Sequence, residues 1–331
     1  MADFTREEIE EKLEEYRELI VAREEEDEFI DEPNEEGVEE EKEDEPEDEP
    51  EDEPNEESAE EKTISKDIEI PDQEDNDEAV EEESTLENIF DEKDLSGLDL
   101  SGLNFHGISL RKTNLKNTDL SGCTLAESNL DQANLDQANL SDADLKNISC
   151  LEGVMTRANM ESANFQGAKL LGTDFSESNL DGAIFRKSKC METKLVRCNL
   201  NETDFSNSDF SRANLQDAKI TNSDLSRARF NNADFERTDL TDSRLSMGVF
   251  FEGNFKSANL NRALIKGAKL AGGIFTDARL PRADITGADL TDAKFHNADL
   301  SRSKLNGAIL RRTDLKDSDL SEADLNIADL T

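Results

Sequence analysis

Ala133-Asn134-Leu135-Asp136-Gln137-Ala138-Asn139-Leu140-Ser141-Asp142-Ala143-Asp144-Leu145 decides the fold. A leucine returns every fifth residue, with an alanine two before it and Asp or Asn between. Followed outward, the frame runs unbroken from Leu95 to Leu330, which makes 48 positions: 29 Leu, 12 Phe, 3 Ile, 2 Met and 2 Cys. Ala, Ser, Thr, Gly or Cys fills 43 of the 48 slots two residues before, the exceptions being Lys93, Leu98, Leu103, Ile108 and Ile148. A fixed period of this kind takes precedence over local propensity. A helix advancing about 100° per residue rotates each successive leucine by roughly 140° and smears the apolar set around its axis. A strand needs a period of two. A flat-sided coil satisfies the pattern if each pentapeptide forms one side and then turns a corner. The large residue then fills the middle, the small residue points in beside it, and the other three positions face water.

These residues resemble the pentapeptide repeat family, whose motif is roughly A(D/N)LXX. The resemblance covers 95–330 and nothing before it. It implies an all-β fold, a right-handed quadrilateral β-helix solenoid with four pentapeptides per coil and about twelve coils. At about 4.8 Å per layer such a rod is roughly 58 Å long.

The four cysteines fall on inward positions, Cys150 and Cys190 central and Cys123 and Cys198 in small slots. Cys150 and Cys190 lie two coils apart, about 9–10 Å, too far to bridge. Buried reduced thiols and a cytoplasmic location are expected. No apolar run approaches membrane-spanning length, and Met1-Ala2-Asp3-Phe4 does not begin a signal peptide.

The formal net charge is −44, unevenly spread. Residues 1–94 carry 47 acidic and 8 basic groups, and the remainder 34 and 29. Direct nucleic-acid binding needs clustered cations and is disfavoured. Residues 1–30 are expected to hold an amphipathic helix. Thr5 and Glu8 form a capping box, Phe4 and Ile9 a hydrophobic staple, and Ile9, Leu13, Tyr16 and Ile20 a narrow apolar stripe. That stripe is too thin to fold alone: it pairs with itself, docks on a partner or docks on the rod. Residues 31–83, with Glu43-Asp44-Glu45-Pro46 and its repeats, have the composition of a disordered acidic linker. Residues 84–94 read as a short capping helix over the first coil, from the Ser84–Glu87 capping box and Leu86, Ile89 and Phe90. The repeat region, 95–331, ends one residue after its last central leucine, so its final coil frays or meets a second rod in a C-terminal end-to-end homodimer.

Residues twenty apart stack, which allows each side to be read as a ladder. On the side centred on 110, 130 and 150, the position after the centre holds Leu151, Leu171 and Met191 in succession, then Phe251. The position before the centre holds Lys169, Lys189, Arg229 and Lys269. A contiguous apolar row beside cations, on an otherwise polar rod, is expected to dock a protein partner, as yet unidentified. A second ladder, Arg262, Arg282 and Arg302 with Arg279 nearby, is expected to attract the acidic tail at low salt.

Catalytic and metal chemistry is not expected, and no cofactor is implied. His106 and His296 lie more than nine coils apart. No Cys/His spacing resembles a zinc site, and no glycine-rich phosphate loop is present. The Asp and Asn residues are read as corner stabilisers. The favoured function is therefore a non-enzymatic interaction scaffold. The alternative is DNA mimicry: some members of the family resemble a duplex and bind DNA gyrase, giving quinolone resistance. This rod departs from that pattern in being nearly charge-balanced and in carrying basic ladders.

Overall fold

The structure is a computed structural model, and it describes residues 2–30 and 88–331. The acidic linker expected at 31–83 lies outside the described residues. The period of five becomes a coil of twenty. Isolated parallel bridges pair each residue with the one twenty further on, from Asp94↔Asn114 to Ile309↔Asp329, with one bridge every five residues. Strands in the ordinary sense do not form, because each side donates only one bridged residue before the chain turns.

The turn explains why five residues suffice. In most pentapeptides a backbone N–H reaches back three residues, as Leu103 N to Leu100 O at 3.2 Å, and the residue before it has positive φ, as Gly102 at 72°. That is the pattern of a type II turn. Every corner from Glu92 to Ile327 is left-handed, 11 with glycine and 37 without. A left-handed L-residue costs about 1–2 kcal/mol. The cost is offset at the corners from Glu92 to Arg312, whose N–H is pinned to the next coil, as in Lys112 N to Asp131 O at 2.8 Å and Arg302 N to Ser321 O at 2.8 Å.

Side chains complete the corners. The Asp or Asn before each centre accepts from the backbone two residues on, as Asn129 Oδ1 from Asp131 N at 3.0 Å. Asn amides also donate to the coil behind: Asn159 to Asn139 and Asn179 to Asn159, both at 3.1 Å. These residues therefore hold the corners, as the composition suggested.

Central residues from Leu95 to Leu305 are essentially inaccessible to solvent. Their phenylalanines stack through the axis, Phe235, Phe255, Phe275 and Phe295 lying with ring centroids 4.5–4.8 Å apart. At Gly248 an added Cβ would sit 2.5 Å from the Phe250 ring, so that small slot has room for hydrogen alone. All four cysteines are free and buried. Cys123 Sγ donates to Leu100 O at 3.0 Å and Cys198 Sγ to Phe175 O at 2.9 Å. Burial pushes the Cys123 thiol up to about 11 and Cys198 up to about 12.

Helix α1 spans Arg6–Ile30. Its capping box forms: Thr5 N donates to Glu8 Oε2 at 2.7 Å and Glu8 N to Thr5 Oγ1 at 3.2 Å. Of the three fates open to its stripe, docking on the rod is the one realised. Ile9 and Leu13 are buried in the same core as the coils, with Phe4 and Tyr16 packed against it.

The end cap is thus α1 and not the helix expected at 84–94. Residues 84–87 lie outside the described residues, and 88–94 carry turns and a bridge. Phe90 is in frame with Leu95, is 1% exposed and behaves as a further central residue, with Glu92 at the corner. A helical turn there would have pulled Phe90 out of register with Phe105, whose ring centroid lies 6.3 Å away.

Candidate interaction site

The outward surface is ordered by the coil. Most corner cations are spent on the acid one coil away. Arg237 Nε and Nη2 grip Asp217 at 2.6 and 2.8 Å, and Arg312 grips Asp292 at 2.7 and 2.6 Å. Arg197–Glu177 and Arg212–Glu192 repeat the arrangement. Hydrogen bonds from Arg237, Arg262 and Arg312 hold Asp217, Asp242 and Asp292 below the usual carboxylate range. Asp136 is the extreme case at 5% exposure. Burial alone would raise its pKa, but Arg157, Gln137, Thr156 and Lys116 surround it and drive it far down.

This pairing bears on the arginine ladder. Arg262 is held by Asp242, with Nε to Oδ1 at 2.6 Å, and Arg302 by Glu322 at 3.0 Å. Arg279 and Arg282 are exposed and form no ion pair among the described residues. The four are therefore not equivalent, and half of their charge is already matched within the rod.

The other set behaves differently. Lys169, Lys189, Arg229 and Lys269 sit in one bridged column, through Lys169↔Lys189, Asp209↔Arg229 and Val249↔Lys269. All four are exposed, and none forms an ion pair among the described residues. Leu171 is 40% and Phe251 38% exposed, while Leu151 and Met191 are half-buried. The structure thus brings Leu151, Leu171 and Met191 together on consecutive coils beside two of the cations, and places Phe251 three coils further down. Sequence reading overlooked Met247, a corner residue on the flanking edge with 64% exposure, whose Sδ lies over Gly267. Its signal was available: it is the only methionine at a left-handed corner.

Sequence reading also undervalued its own exceptions. Leu98, Leu103 and Ile108 occupy small slots with large side chains, and all belong to the first coil. Ile108 lines the groove beside α1, and Leu98 and Leu103 pack against the same core as Ile9 and Leu13. Ile20 and Val21 of α1 face Asn104, His106 and Ile108 across an open groove of about 430 Å³. His106 is thereby placed at the helix edge, while His296 lies beside Asp314 near the other end.

Residues 89–149 and 258–331 match pentapeptide repeats (8 copies), and residues 158–235 match the pentapeptide repeat region. The chain belongs to the pentapeptide repeat family. Among solved pentapeptide repeat structures it is similar to HetL, which is involved in heterocyst differentiation regulation in the cyanobacterium Nostoc. The two are 28% identical, with 72% of this chain and 88% of HetL covered and a TM-score of 0.26. A pentapeptide repeat protein of the Arabidopsis thaliana thylakoid lumen is 32% identical over 29% of this chain and 68% of its own, with a TM-score of 0.29. QnrB1, a plasmid-mediated fluoroquinolone resistance protein, is 17% identical over 68% of this chain and 92% of its own, with a TM-score of 0.21. No curated protein matches the sequence.

Among the described residues no group of three or more His, Cys, Asp or Glu could hold a metal ion. No described helix is long and apolar enough to cross a membrane.

Proposed function

We propose that this pentapeptide repeat rod, coiled right-handed as in its family, is a non-enzymatic scaffold that docks a protein through the side carrying Leu151, Leu171, Met191 and Phe251. The observation that carries the reading is the apolar row, exposed at Leu171 and Phe251 and half-buried at Leu151 and Met191, beside Lys169, Lys189, Arg229 and Lys269, none of which forms an ion pair among the described residues, on a rod most of whose corner arginines are paired coil to coil. Apolar groups supply area, and unpaired cations supply orientation and encounter rate. A smooth rod offers such contact along its length without a cleft for catalysis.

The test compares wild type with Leu171→Glu, each immobilised in equal amount. Partners retained by wild type and lost on the variant support the reading. Identical partner sets with both proteins sink it. DNA mimicry would show instead as inhibition of gyrase supercoiling by the rod, which the coil-to-coil neutralisation of its acids argues against. A second contact, end to end through Leu315, Leu320, Leu325 and Leu330, is proposed from their incomplete burial. Light scattering that reads a monomer at high concentration removes it.

A further inference from the structure

The strip just described is flanked by more charge than its own column supplies. Lys187 and Arg227 stand at the left-handed corners of the adjoining edge, two residues before Lys189 and Arg229 of the bridged column. With Lys169, Lys189, Arg229 and Lys269 they make six cations over about six coils, none in an ion pair among the described residues. The acids interleaved with them are Asp209, Glu252 and Glu192, the last already paired with Arg212. Asp209 Oδ1 already accepts from Ser211 N and Oγ, and Glu252 accepts from Asn232. The patch is therefore cationic in a chain of net charge −44.

Helix α1 points at this edge. It enters over Asp94, where Asp3 N donates to Asp94 O at 2.6 Å. Arg6 then reaches Asp99 O and Ser101 O at 3.0 and 3.1 Å, and Arg17 reaches Asn104 O at 3.1 Å. Tyr16 lies against Gly107. The path crosses the end of the rod and leaves at the corner of Gly107, which heads the same column of corners as Lys187 and Arg227. Past Ile30 the chain continues into residues 31–87, with 31 acidic and 3 basic groups, before rejoining the rod at Asn88.

We propose that the acidic segment 31–87 is the occupant of this cationic, apolar-edged strip in the free protein, so that a docking partner must displace it. The proposal rests on the reading of the strip as a docking surface and names what covers it. Reach is sufficient: 57 residues anchored at Asn88 on the first coil and at Ile30, about 21 Å of helix past Tyr16, extend out and back to about 95 Å, and Lys269 lies about 40 Å down the rod. Tethering raises the effective concentration of the acids at the strip to the millimolar range. The arginine ladder at 262–302 competes poorly, because Asp242 and Glu322 already hold two of its members.

Zero-length carbodiimide coupling of the full chain at low concentration tests this, with peptides mapped by mass spectrometry. The expected result is intramolecular amide links from Lys169, Lys187, Lys189 and Lys269 to acids in 31–87, dropping by about tenfold or more at 1 M salt, where screening shortens to about 3 Å. The double variant Lys169→Gln, Lys189→Gln should lower linking at Lys187 and Lys269 while leaving the thermal midpoint unchanged, since all these groups are solvated. Links spread over Lys256, Lys294, Lys304 and Lys316 in proportion to exposure would overturn the proposal, as would links formed only between chains. If the strip captures a partner sensitive to Leu171→Glu yet forms no internal links, the docking reading stands and self-occupation falls.

Discussion

The two ends of the rod are built from the same repeat and finish differently. At the Phe90 end, α1 lies across the first coil and buries Ile9 and Leu13, leaving Phe90 and Leu95 inaccessible. At the other end burial fades within one coil: Leu310 is 3% exposed, Leu315, Leu320 and Leu325 are half-buried, and Leu330 is 61% exposed. A solenoid coil cannot satisfy both of its faces from its own residues, so its terminal faces need cover from elsewhere. At the Phe90 end the repeat supplies lateral closure, and axial closure comes from α1, a segment of different composition.

The most damaging way to break the contrast is Leu13→Asp, which places a charge in the buried helix–rod contact. Buried charges without a partner are expelled, so α1 should detach. Amides of Leu95, Leu100 and Phe105 should then exchange at rates approaching those of 315–330, while mid-rod amides stay protected. Unchanged exchange at the first coil would show that α1 contributes no cover.

Next in size is the pair Leu300→Ala and Leu320→Ala. The first truncates a fully buried centre and should cost about 2–5 kcal/mol. The second removes a half-covered one and should cost less than half as much, measured by denaturant unfolding. Equal losses would mean that the final coil is covered in solution, as end-to-end association requires.

Arg6→Ala should act on the same end as Leu13→Asp, but more weakly. It removes donors to Asp99 O and Ser101 O without opening a cavity. The expected signature is faster exchange confined to the first coil, with the global unfolding midpoint held.

Acid should produce the smallest and most diffuse change. Asp217, Asp242 and Asp292 are held below the usual carboxylate range by Arg237, Arg262 and Arg312. Groups with depressed native pKa add stability that is complete above the ordinary carboxylate value near 4 and is lost as pH falls through the native value. The thermal midpoint should therefore be flat from neutrality to about pH 5 and decline below pH 4. Replacing Asp242 by Asn should flatten part of that decline.

Several features were legible because each depends on residues at a fixed offset. The Asp and Asn corners, the inward thiols and the tight slot at Gly248 all follow from the coil register. The coil's first member was misplaced by one pentapeptide, because Asn88 fills the slot before Phe90 and hid the frame. The left-handed corners were invisible: 37 of them carry side chains with no common signature, Arg, Glu, Asn and Asp among them. The packing of Leu98, Leu103 and Ile108 was missed because a large residue in a small slot reads as an exception until its neighbours are seen.

By itself the sequence determined the period, the inward set, the side on which Leu151, Leu171 and Met191 align and the helix at the N-terminus. These are local or strictly periodic, so no long-range contact is needed to specify them. Only the tertiary structure decided where α1 goes, which arginines are already matched and which lysines stand unpaired. Those outcomes depend on pairs separated by about ninety residues, as Arg6 with Asp99, or by twenty, as Arg262 with Asp242. They are settled by competition between partners in space, which spacing along the chain does not record.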